Sequence, residues 1–219
     1  MTTKPQSGRL AAAMVVFVPL FMAAVLIFPQ SRAVFLEYTA KMPYLMGFLK
    51  FALLATTGEV LASKVAAGRF AFPKGVWAKA AIWGVIGMML TLLMPVYAGG
   101  VAAAQSAGVL AGKNSPFLTA LFTSALMNLT FGVVMMAFHR VTDTMVEQFC
   151  NEKKTSPTSA VNAVDWIGFI RFVVFRTIPL FWIPAHTVTF LLPSEYRVFL
   201  SAALSIVLGL LLAVAKRKK

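Results

Sequence analysis

Five polar residues stand where an apolar chain can least tolerate them. Glu59 falls inside the apolar run 44–62 and Asn128 inside 117–138, while Arg171, Arg176 and His186 fall inside 166–192. A charge held near the centre of a bilayer costs about 2.5–3.5 kcal/mol even on a lenient scale. Such groups are expected to face the inside of a helical bundle and to find partners there. Glu59 lies a few residues from the inner end of its run, and Arg171 lies at a similar depth in its own. If Arg171 extends to the headgroups along its aliphatic stem, Arg176 becomes the better mate for Glu59. Lys50 is nine residues from Glu59 on the opposite helix face, and no partner for it can be named. Taken together, Glu59, Asn128, Arg171, Arg176 and His186 outline a polar interior that small solutes or ions could cross. Taken singly, each reads as a helix–helix hydrogen bond or ion pair.

Other chemistries lack their residues. Cys150 is the sole cysteine, and His139 and His186 lie in different apolar runs with no carboxylate cluster beside them, so neither a metal site nor a cofactor is expected. No paired carboxylates, no activated nucleophile and no HExxH motif occur, and enzymatic activity is not expected. Residues 108–114 superficially resemble a phosphate loop. Three residues separate the glycines where four are needed, however, and Asn114 stands where a hydroxyl would meet magnesium.

The elements that must position these residues follow from composition. The chain is 59% hydrophobic and 12% charged, against about 25% charged in soluble domains. Too little polar surface exists to face water all round. Membrane helices need about 20 apolar residues, and the runs 10–28, 44–62, 80–97, 117–138, 166–192 and 198–215 are read as six spans of a polytopic all-α transmembrane bundle, one integral membrane domain over 1–219. The run 44–62 is the weakest, because it contains Lys50 and Glu59. With both termini cytoplasmic, thirteen Lys and Arg residues lie inside and four (Arg32, Lys41, Lys113 and Arg197) outside. Dropping the weak run would place Lys64 to Lys79 outside, so the positive-inside rule favours keeping it. The formal charge of +13 is thereby read as orientation and contact with anionic lipid, not as nucleic-acid binding. Residues 98–112, rich in Ala and Gly, are left open among a loop, a surface helix and a re-entrant segment.

Small and polar residues recur at helical spacing in three runs. These are Ala80, Gly84, Gly87 and Thr91; Ala120, Ser124, Asn128 and Gly132; and Ser201, Ser205, Gly209 and Ala213. Packing seams are the simpler reading of these stripes, and a polar path is the sharper one. Pro179, Pro184 and Pro193 are expected to bend or interrupt the fifth span.

The last third also carries a resemblance. Phe181-Trp182-Ile183-Pro184-Ala185-His186, followed by Phe190, Pro193, Tyr196 and Arg197, resembles the C-terminal signature of the family of the twenty-two-kilodalton peroxisomal membrane protein and the mitochondrial Mpv-seventeen protein. Weaker echoes are Gly58-Glu59 with Ser63, and Ser115-Pro116-Phe117. Ile183 separates Trp182 from Pro184, His186 and Thr189 stand near the family's Gln and Asn, and the final helix lacks the usual Trp-Asn segment. The resemblance covers residues 177–215 and implies a divergent, bacterial member: a small multi-span protein of pore-like character without cofactor. A small-solute pore is therefore the leading functional expectation, and a non-conducting structural or partner-binding membrane protein is the alternative. Lipids, a small solute or ion, and a second copy of the chain are the expected partners. The bacterial inner membrane is the expected location, with an organelle membrane as the alternative.

Overall fold

The computed structural model describes residues 5–217; for Pro5, Gln6, Ala66 and residues 209–217 the description is of the backbone alone. The chain is all-helical, with no strand among the described residues. The helices are α1 (Pro5–Ile27), α2 (Pro29–Lys41), α3 (Pro43–Ala67), α4 (Val76–Ser106), α5 (Pro116–Met127), α6 (Val133–Glu152), α7 (Pro157–Ala163), α8 (Trp166–Gly168), α9 (Ile183–Leu191) and α10 (Ser194–Arg217). Two stretches wind more widely as π-helix: π1 (Asn128–Gly132), between α5 and α6, and π2 (Phe169–Trp182), between α8 and α9.

Proline sets several helix starts. Pro29, Pro43, Pro116 and Pro157 each occupy one of the first two positions of their helix, where a missing N–H costs nothing. Five helical stretches are long and apolar enough to cross a membrane by length and composition: Ser7–Ile27, Pro43–Val65, Val76–Ser106, Pro116–Glu152 and Trp166–Leu191. The weak second run is among them. The sixth predicted span lies within α10, but the side chains from residue 209 onward fall outside the described residues. Large apolar side chains, such as Phe17, Leu20, Phe175 and Leu180, are exposed on the helices. That outward-facing apolar surface, with five such helices, is the construction of an integral membrane protein.

Two expectations need adjusting. Residues 98–106 are neither a loop nor a re-entrant segment, because α4 continues without interruption through Pro95 to Ser106. Its 31 residues make a rod of about 46 Å at 1.5 Å per residue, longer than a hydrocarbon core of about 30 Å. The stretch between the first two spans, to which the sequence reading assigns no element, folds as the polar helix α2.

The chain divides into two compact units. The first comprises residues 1–88 and 199–219. Here α3 approaches its neighbours through small residues. A Cβ at Gly87 would collide with the carbonyl oxygen of Gly47, one at Gly84 with the ring of Phe48, and one at Gly58 would lie 3.1 Å from the carbonyl oxygen of Ser205. The unit's buried side chains include Phe51, Leu54, Val60, Ile86 and Ala202.

The second unit comprises residues 89–198. Its principal packing is α5 against α9. The predicted stripe Ala120, Ser124, Asn128 and Gly132 is buried along its whole length. A separate apolar cluster of Phe169, Val173 and Ile178 is flanked by Met136, Trp166 and Trp182.

Candidate functional site

In the second unit the polar residues of α5 and α9 meet. Ser115 caps α5, its hydroxyl accepting the amide of Leu118 at 3.3 Å, and Pro116 opens the first turn. The loop before that cap turns through left-handed backbone at Gly108, Gly112 and Asn114. At Gly112 a Cβ would strike the Leu118 side chain, so the residue must be glycine for space as well as for its positive φ. Gln105, buried in the last turn of α4, fastens this loop. Its amide nitrogen donates to the carbonyls of Ala111 at 3.0 Å and Gly112 at 3.2 Å, and its amide oxygen accepts the Thr119 hydroxyl at 2.7 Å.

Beside this stapled loop lies a cavity of about 430 Å³, lined by Asn114, Ser115, Thr119, Thr123, Phe190 and Arg197 with apolar neighbours. Arg197 is fixed at its edge. Its Nε donates to the Leu192 carbonyl at 3.0 Å, and its guanidinium carbon lies 5.5 Å from the centre of the Phe190 ring. Thr123, on the cavity wall and 1% exposed, is followed by the buried Ser124 on α5 and by the buried Asn128, where π1 begins.

Asn128 and His186 form the centre of the polar seam. The Asn128 amide nitrogen donates to the Ser124 carbonyl at 2.8 Å and stands 3.0 Å from His186 Nδ1. The amide oxygen of Asn128 lies 3.1 Å from the same ring nitrogen. Asn128 can thus answer either neutral tautomer of His186, donating to a bare Nδ1 or accepting from a protonated one. The Ser124 hydroxyl donates across the interface to the Ile183 carbonyl at 2.7 Å, and Thr187 donates to the same oxygen at 2.7 Å. Trp182 stacks on His186 with ring centres 5.2 Å apart. The Trp182 indole N–H is itself buried with no acceptor. Interhelical bonds of this kind average about 0.6 kcal/mol in membranes and reach about 1.7. Ser124 spends its proton on a backbone carbonyl and His186 presents Nδ1 to Asn128, so the trio is arranged as a helix–helix lock.

The charged residues are placed otherwise than the sequence suggests. Arg171 and Arg176 are both exposed, which corrects their assignment to a polar interior. The cause is the winding of π2, whose hydrogen bonds run from i to i+5; the Thr177 hydroxyl follows the same spacing, reaching the Phe172 carbonyl at 2.9 Å. Residues five apart therefore share a face, and the two arginines lie with the exposed Phe172, Phe175 and Leu180, while Phe169, Val173, Thr177 and Ile178 are buried.

Glu59 belongs to the first unit, and its cationic neighbour is local. Its carboxylate accepts the Trp83 indole N–H at 2.6 Å and lies 4.0 Å from the Lys79 ammonium, which is itself buried. Phe51 stacks on Trp83 at 6.4 Å. The expected mate, Arg176, gives way to Lys79 because α3 ends and α4 begins at one end of a helical hairpin. Lys79 entered the sequence argument as an orienting charge, and that shared end was the available signal. Lys50 also has its partners within the first unit: its ammonium donates to Thr39 at 2.9 Å and lies 4.4 Å over the Phe35 ring. Both belong to α2, the helix missed in sequence.

Of the residues resembling the family signature, Trp182 and Phe190 pack around His186 and Arg197 as described, whereas Pro184 and Pro193 are exposed and Tyr196 is half-buried. Compared with protein-family models, with curated proteins and with solved structures, the chain matches none. No group of three His, Cys, Asp or Glu among the described residues could hold a metal ion.

Proposed function

We propose that this chain is a pore-like membrane protein for small solutes, with six spans and both termini on the cytoplasmic side of a bacterial inner membrane. The observation that carries the reading is the cavity of about 430 Å³ with its hydroxyl-bearing wall, continued by the buried Ser124 on α5 and Asn128 at the start of π1 and met there by His186. Its size lies in the range of sites that enclose small molecules. On the proposed topology the cavity faces the outside, and the Asn128–His186 pair lies deeper, near mid-span. The resemblance of residues 177–215 to the peroxisomal and mitochondrial family points the same way. Purified protein in liposomes should pass small polar solutes faster than empty liposomes, and Asn128→Leu with His186→Leu should alter that flux. Absence of flux from correctly folded protein would end the proposal.

A second reading, a non-conducting protein held together by the same groups, is favoured by one observation: Ser124 bonds the opposing helix's backbone and Asn128 bonds its histidine. On that reading the double variant loses stability and there is no flux to alter.

A further inference from the structure

The cavity of the second unit has an uneven chemistry. Arg197 is its one ionisable lining residue; Thr119 and Thr123 add hydroxyls, and Ala98, Pro116, Ala120, Phe190 and Leu191 supply apolar wall. Arg197 does not float free. The Leu192 carbonyl takes its Nε–H and the Phe190 ring lies 5.5 Å from the guanidinium carbon, which leaves the terminal Nη groups to bond whatever enters. The two threonine hydroxyls are committed: Thr119 donates toward the Gln105 side chain and the Ser115 carbonyl, and Thr123 donates to the Thr119 carbonyl. Charge recognition therefore falls to the guanidinium, with the Asn114 amide and the Ser115 hydroxyl as the neutral donors beside it and the apolar wall opposite.

From this juxtaposition we propose that the cavity binds an aliphatic monocarboxylate, its carboxylate on the Nη groups of Arg197 and its hydrocarbon body against Phe190, Leu191 and Ala120. A single fixed cation matches a single negative charge, and the planar guanidinium fork suits the two oxygens of a carboxylate. A phosphate, with more charge to neutralise, would find no second cation among the lining residues. Glu195 is the natural competitor. It is exposed, two residues from Arg197, with one oxygen held 3.1 Å from the Ser194 hydroxyl, and its charge opposes that of an arriving anion. The ligand has two sources with one chemistry: a soluble short-chain acid, or a fatty acid already dissolved in the bilayer.

The inference rests on the solute-accepting reading of this cavity but not on conduction, so its test is equilibrium binding. Full-length protein in nanodiscs is titrated with butyrate, octanoate and palmitate, and with octan-1-ol as the uncharged control. The expected result is saturable octanoate binding that octan-1-ol does not reproduce, weakened about tenfold or more by Arg197→Gln and partly retained in Arg197→Lys. Glu195→Gln, an exposed change that leaves the Arg197–Leu192 bond in place, should tighten it about twofold to threefold through the removed repulsion. A preference for butyrate or octanoate assigns the soluble source, and a preference for palmitate the bilayer. Equal binding of octan-1-ol and octanoate, or indifference to Arg197→Gln, would overturn the assignment. Should Arg197→Gln fail to fold, an unchanged affinity in Glu195→Gln overturns it instead. Octanoate binding without flux would sink only the pore; flux without octanoate binding would sink only this site.

Discussion

The two units solve one problem, holding helices together without a hydrophobic drive between them, by different means. In the first unit α3 reaches its neighbours backbone to backbone, at Gly87 against Gly47 and Gly58 against Ser205. In the second unit α5 reaches α9 through side chains, by way of Ser124, Asn128 and His186. Close approach of small residues and interhelical hydrogen bonds are the two available kinds of glue in lipid. They differ in what they leave behind. The glycine seam brings backbone against backbone, whereas the polar seam lies beside a cavity with hydroxyls on its wall. Charge also separates from depth. Glu59, with the ammonium of Lys79 at 4.0 Å, lies near the end of its helix, while the most deeply buried polar groups of the second unit are uncharged amide and hydroxyl, with an imidazole that either neutral tautomer satisfies.

That contrast can be broken at chosen points. The largest effect is expected from Gly87→Ala, whose methyl group meets backbone rather than a movable side chain. It should destabilise the fold by roughly 2–3 kcal/mol, at the upper end for overpacking, in equilibrium unfolding in mixed micelles. Asn128→Leu comes next, at about 1–2 kcal/mol, because it strands His186 Nδ1 away from water and removes the side-chain bond to the Ser124 carbonyl, which keeps only its backbone donor. Glu59→Gln should cost less, under about 1 kcal/mol: the amide oxygen still accepts the Trp83 indole, while the charge attraction to Lys79 is lost. Glu59→Leu, which also removes the acceptor of the Trp83 indole N–H, should exceed it in the same assay. The smallest loss belongs to Arg176→Gln, which removes an exposed charge from an apolar face of a spanning helix and should not destabilise the fold. A loss at Arg176 as large as that at Asn128 would restore the arginine to the interior.

Much of this architecture was legible in the residues. Apolar runs marked the helices, basic residues argued for keeping the weak 44–62 run, and four-residue spacing picked out Ala120, Ser124, Asn128 and Gly132 as one buried stripe. The partners of Asn128 were harder to read, since a 3.6-residue period says which face is small but not which helix it meets. The arginines misled for a definite reason. Ordinary helical spacing does not disclose the wide winding of π2, and that winding decides which face Arg171 and Arg176 occupy. Glu59 was recognised as needing a cation, yet a buried arginine was favoured over Lys79, the residue at the shared end of the α3–α4 hairpin. Gln105 went unread as a staple because its acceptors, Ala111 and Gly112, are backbone carbonyls in a loop whose left-handed turns had to be seen first.

Asn128, where α5 passes into π1, and His186 on α9 hold the two helices together as a coupled pair. A double-mutant cycle in lipid, with Asn128→Leu, His186→Leu and both, tests it most directly. A coupling of about 0.6–1.7 kcal/mol is predicted, the double variant losing less than the two single losses combined. Strict additivity would mean that the two side chains do not bond, and the account of the second unit would fail with them.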